Sequence, residues 1–172
     1  TADAGSANTS KNATFELTGM SAASTIVTDT IKAGANKNTT LGSSIDIDGG
    51  VAYLSGDAVT NLAKIDLCYG HTASGDKLGT PTWAKLSGYD FTTSWTTYPT
   101  TPKFYKTTLT TAEFDAITAI PTFVDASATA ESAVAVANDV FIVKTTEGAT
   151  FLLKIMEQVA GDLRSIPIKT AM

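Results

Sequence analysis

Threonine pairs constrain this chain more than any other feature. Threonine is roughly one residue in six, and it doubles at Thr39-Thr40, Thr92-Thr93, Thr96-Thr97, Thr100-Thr101, Thr107-Thr108, Thr110-Thr111 and Thr145-Thr146. A β-branched side chain is stiff about its first torsion, and it fits a pleated surface better than a helix. Its hydroxyl suits a sheet face that meets water. Charged residues make up only 17% of the 172, below the usual quarter. This pattern predicts an extracellular, β-rich, weakly charged protein.

The length suits a single domain with its own core. One cysteine, Cys68, excludes an internal disulfide, so packing alone must hold the fold. Cys68 alternates with Asp66 in Ile65-Asp66-Leu67-Cys68-Tyr69 and reads as a half-buried strand thiol. The net charge of −5, with no run of Lys or Arg, argues against nucleic acid and anionic membrane surfaces as partners. No apolar stretch is long enough for a membrane span. Thr1 in place of methionine fits a processed terminus and export. Asn8, Asn12 and Asn38 begin Asn-x-Ser/Thr sequences, which are glycan sites in a eukaryotic setting.

Residues 1–13 are small and polar and read as an extended N-terminal segment; residues 14–172 read as one β-sandwich domain. Strands are expected over Thr14–Thr18 and Thr25–Ile31. A hairpin is expected from Ser44–Asp48 and Val51–Leu54 around Gly49-Gly50. Lys64–Tyr69 reads as a central strand, and Gly70–Pro81 as loop. Thr110-Thr111-Ala112-Glu113 predicts a capping box and a short helix that ends before Pro121. Ala126–Ala137 is open between a helical turn and a loop. Val140–Thr145, Thr150–Met156 and Leu163–Lys169 predict an antiparallel meander. The expected class is an all-β antiparallel sandwich, Ig-like or related, with one or two short helices.

Few constellations carry chemistry. His71, the single histidine, reads as a solvated loop residue, since no Gly-x-Ser-x-Gly elbow accompanies it. Asp46 and Asp48 share a strand face and are weak calcium candidates; Asp57 and Asp66 could add oxygen ligands. A solvated strand face explains the same carboxylates. The aromatic run Trp83 to Tyr105 suits a core, a protein interface or sugar stacking. Trp83, Trp95 and Tyr98 are taken as interface candidates, together with Phe15 and Leu17. No cofactor is expected, and no catalytic residue is assigned.

Two passages also resemble a known group. They are Ile65-Asp66-Leu67-Cys68-Tyr69-Gly70, and Asp139 to Gly148 running on through Phe151-Leu152-Leu153-Lys154-Ile155. Lys103 to Ile117 is similar in wording. They resemble secreted β-sandwich proteins and surface lipoproteins of Bacteroidota, including HmuY-type haem-binding proteins. The resemblance implies an exported all-β fold. In that group haem is held by paired His or Met side chains from loops. Here His71, Met20, Met156 and Met172 match no such loop motif.

Composition and motifs together lead to a non-enzymatic extracellular structural subunit of a surface assembly or filament. It is expected to be a homo-oligomer joined by addition of an N-terminal strand to a neighbour's sheet. The alternative is a surface ligand-binding module for haem or glycan.

Overall fold

The computed structural model describes residues 25–35, 38–73, 75–128, 132–156 and 163–171. The extended segment over residues 1–13, the strand Thr14–Thr18, and the candidates Phe15 and Leu17 lie outside the described residues.

The strands are β1 (Ile26–Gly34), β2 (Ser44–Asp46), β3 (Val51–Tyr53), β4 (Leu67–Thr72), β5 (Gly75–Gly79), β6 (Lys103–Lys106), β7 (Ser132–Val134), β8 (Val140–Lys144), β9 (Thr150–Lys154) and β10 (Leu163–Ala171). Three short helices join them: α1 (Ser55–Thr60), α2 (Pro81–Leu86) and α3 (Thr111–Ala116). The strands form two five-stranded antiparallel sheets, in the orders β1-β10-β9-β8-β6 and β3-β2-β4-β5-β7. The result is a mixed but β-rich, sandwich-like arrangement, with one helix more among the described residues than expected. Among the described residues, no helix is long and apolar enough to cross a membrane.

The C-terminal meander forms as its alternation predicts: β8 pairs with β9, and β9 with β10. β1 then runs antiparallel to β10 over nine residues, from Ile26↔Ala171 to Gly34↔Leu163. The Gly49-Gly50 hairpin also forms, with Ser44 opposite Tyr53 and Gly50 at φ 66°. That left-handed geometry is what glycine supplies in such a turn.

Period-2 alternation sorts side chains into three apolar layers. Ile31, Ile45, Leu67, Tyr69 and Leu78 meet Phe104, Phe141, Val143, Phe151 and Leu153 in one core fed by both sheets. On the outer face of the first sheet, Phe114 of α3 packs with Val140, Ile142 and Leu152. On the outer face of the second sheet, Cys68 lies under Trp83, Ala84, Tyr89, Phe91 and Trp95.

The third layer corrects one expectation. Gly70–Pro81 is not loop. β4 continues to Thr72, β5 returns from Gly75, and His71 faces Asp76 across the hairpin. The stretch lacks apolar alternation because two of its outward positions are glycines under aromatic rings. A Cβ on Gly70 would stand 2.7 Å from the Tyr89 ring, and one on Gly79 would overlap the Trp83 ring. The Lys64 end of the predicted central strand is a 3-10 turn, Leu62–Lys64, and the strand starts at Leu67. β4 is still the central strand of its sheet. Within the open segment Ala126–Ala137, the described residues include the end of a 3-10 turn, Asp125–Ser127, and β7.

The predicted capping box is present at α3. Thr110 Oγ1 accepts from the Glu113 N–H at 3.2 Å, and Glu113 Oε2 accepts from the Thr110 N–H at 2.8 Å. Both bonds satisfy donors that the first turn leaves free. Thr110→Ala should lower stability by about 1 kcal/mol. Urea unfolding with an unchanged slope is the check; no loss would mean that Phe114 alone holds the helix.

Candidate functional site

Three carboxylates converge where the β2–β3 turn, the segment entering β4 and the β8–β9 turn meet. One oxygen from each of Asp46, Asp48 and Asp66 lies within 4.8 Å of the others. The sequence placed Asp46 and Asp48 on one strand face. The structure instead brings them together through the turn, since β2 ends at Asp46. Asp46 folds back so that its Oδ1 accepts from the Gly49 N–H at 2.7 Å, while its Oδ2 accepts from the Tyr53 hydroxyl at 2.8 Å. Gly49 permits this, because a Cβ there would meet the Asp46 carboxylate at 2.7 Å. Asp57 sits in the first turn of α1, outside the group.

Asp66 is buried and ties the two sheets together. Its Oδ2 accepts from the Ile47 N–H at 2.9 Å, and its Oδ1 from the Thr146 N–H at 3.3 Å. Burial pushes its carboxyl up to about 7, against the pull of those two donors; Asp48 and Glu147 add to the rise. Asp48 is raised too, first by lost hydration in the turn, then by its hydrogen bond to Asp46 and the Asp46 charge. Tyr53 is pushed up to about 12 by desolvation first and by Asp46 second. Among the described residues, no cation pairs with the three carboxylates, while Lys103, Lys106, Lys144 and Lys154 face Asp125, Asp139 and Asp115. The spacing of the cluster suits a hard cation, whose oxygen ligands stand about 2.3–2.6 Å from calcium.

His71 is not the loop residue expected. It lies in β4, half-exposed, with Nδ1 2.7 Å from Oδ1 of the buried Asp76. The cross-strand register explains the contact, since His71 and Asp76 are direct partners.

The aromatic candidates divide. Trp83 and Trp95, taken as interface residues, are buried by the chain itself. A run of ring contacts links Trp83, Tyr89, Phe91, Trp95 and Tyr98 at centroid distances of 5.1, 5.5, 5.9 and 6.3 Å. Tyr98, at the end of that run, lines a surface depression. The large rings were drawn inward because the second sheet needs an outer cover and its glycines leave room for one. Compared with protein-family models, with curated proteins and with solved structures, the chain shows no match.

Proposed function

We propose that this chain is a non-enzymatic structural subunit of an extracellular assembly, joined to its neighbours by strand addition at an edge of the second sheet. The observation that carries this reading is the contrast between the sheet edges. β1 carries exposed Asp29 and Lys32, and the Asp29 carboxylate accepts from the Thr30 N–H at 2.6 Å. β6 carries Lys103 and Lys106, each ion-paired to an aspartate. Charge of this kind blunts an edge against further pairing.

The second sheet lacks that protection at β7. Its residues Ser132–Val134 bear no charge, and among the described residues its one strand neighbour is β5. Val134 and the following Val136 are 48% and 54% exposed. An uncharged edge with outward valines is a template for an added strand. The Thr14–Thr18 segment, with Phe15 and Leu17 on alternate positions, has the composition of the donor. An Ig-like or related sandwich belongs to the same reading. Donation from one copy to the next is heterologous and propagates into a ring or filament.

Two variants test it. Removal of residues 1–17, and separately Val134→Lys, should each leave circular dichroism unchanged and abolish assembly in light scattering. A full-length protein that stays monomeric at high concentration would sink the reading. So would a folded truncation that assembles normally, or a truncation that unfolds, since the segment would then be a strand of its own domain.

A further inference from the structure

We infer that the strand added at β7 is the Thr14–Thr18 segment of a second copy, held in one register with Glu16 on the Val134 row. The inference rests on the reading of β7 as the acceptor edge and adds which residues meet there.

The backbone of β7 shows which groups are on offer. Val134 stands opposite Lys77 and Ala133 opposite Leu78 in β5, and the Ala135 N–H donates to the Asp76 carbonyl at 2.9 Å. In an antiparallel ladder alternate residues turn their N–H and C=O to one side. Ala133 and Ala135 thus face β5, while Ser132, Val134 and Val136 face outward. Val136 is already closed. Its N–H donates to Asp139 Oδ2 at 3.1 Å, and its carbonyl accepts from the Asp139 N–H at 3.1 Å. Lys106, at the end of β6, holds the other oxygen of that carboxylate at 2.6 Å. Asp139 therefore ends the edge, and the rows left for a donor are those of Val134 and Ser132.

Side chains then select the register. Ala133 and Ala135 pack on the core shared by the two sheets, and both are small. A strand beside them can cover that flank with large apolar side chains, and Phe15 and Leu17 alternate as this requires. Glu16 then lies on the outer face. There the row across the sheet runs Gly70, Lys77, Val134. Among the described residues no carboxylate pairs with Lys77. Glu16 beyond Val134 supplies one: two strand spacings, about 10 Å, separate the backbones, a gap that two long side chains close. A slip by one residue would bury Glu16 and expose Phe15 and Leu17. A slip by two would set Glu16 on the Ser132 row, beside uncharged Gly79, or against Val136, which Asp139 has closed.

Reach assigns the donor to another copy. A Cβ on Gly50 in the β2–β3 turn would stand 3.0 Å from the Asp29 carboxylate of β1, so β1 borders the β3 side of the second sheet, and β7 is its opposite edge. Thr18 precedes Ile26 by eight residues, which span at most roughly 29 Å. A path around the core crosses four strand spacings, about 19 Å, and the gap of about 10 Å between sheets. That takes up the whole reach and leaves nothing for the turn into a strand.

Cysteine pairs in the full chain test this, since Cys68 is fully buried and stays out of the reaction. Directly paired strand residues lie within disulfide reach, with Cα atoms about 4.4–6.8 Å apart. Glu16→Cys with Val134→Cys should oxidise to a ladder of linked chains on non-reducing gels. Phe15→Cys with Val134→Cys, and Glu16→Cys with Ser132→Cys, should stay mostly unlinked. Lys77→Glu should weaken assembly roughly threefold to fivefold in light scattering, and Glu16→Lys in the same chain should restore it. Circular dichroism checks that each variant is folded. Linkage within one chain overturns the inference; so does equal linkage from positions 15 and 16, or assembly indifferent to Lys77→Glu. Assembly that needs Val134 while Glu16→Cys never links to it overturns the register and leaves strand addition standing. A full-length protein that stays monomeric overturns both.

Discussion

Gly79→Val should destabilise this protein by about 3 kcal/mol or more, a large share of the roughly 5–15 kcal/mol that holds a domain together. The glycine is not needed for its backbone angles. It is needed for space: a Cβ at that position would overlap the six-membered ring of Trp83. Trp83 starts in the first turn of α2, which is set by the Thr80 cap and by Pro81 at the first helical position. The ring cannot swing away without displacing Tyr89, 5.1 Å off, and the rings behind it. Valine would therefore lift α2 from the sheet and expose the outer aromatic layer. A red shift of tryptophan emission at low denaturant should accompany the loss. Trp83→Ala should make Gly79→Val far milder than it is alone, because the two substitutions remove and create the same clash. Equal costs with and without Trp83 would mean that the ring does not lie on Gly79.

The second large effect is a pH dependence centred on Asp66. Its carboxyl is pushed from the ordinary 3.8 up to about 7 in the folded protein. Between those values the folded state holds a proton that the unfolded chain releases. The contribution of Asp66 to stability is thus greatest below about pH 4, and it declines as pH rises toward about 7. It is level above that range. A span of about three pH units, at roughly 1.4 kcal/mol each, sets an upper bound near 4 kcal/mol; relaxation around the ionised group reduces it. Asp66→Asn should remove this slope. It keeps a carbonyl oxygen for one of the Ile47 and Thr146 N–H donors and leaves the other poorly served, an offset that does not vary with pH. The measurement is urea unfolding of both proteins at intervals from pH 4 to 8. Parallel curves across that window would show that Asp66 titrates in the folded state as it does in the unfolded one.

The carboxylate cluster shows how far a site can be read from a chain. Asp46 and Asp48 stood out because two residues separate like positions on a strand. Their true meeting depends on Gly49, whose missing Cβ lets Asp46 turn back on the hairpin. Asp66 could be named as a further oxygen donor. Nothing in its neighbourhood along the chain indicates Thr146, which lies eighty residues on and donates to it from the other sheet.

Local chemistry alone determined the meander β8–β9–β10, the Gly49-Gly50 hairpin and the capped helix α3, because alternation, turn glycines and caps act between residues close in sequence. Tertiary structure decided the rest. It turned Gly70 and Gly79 from loop signals into strand positions that seat Tyr89 and Trp83, and it drew Trp83 and Trp95 into a layer of their own. It also paired β1 with β10 across most of the chain. The physical reason is common to all three: a glycine, an aromatic ring or a strand edge has no fixed role until the surface opposite it exists, and that surface comes from residues far away in sequence.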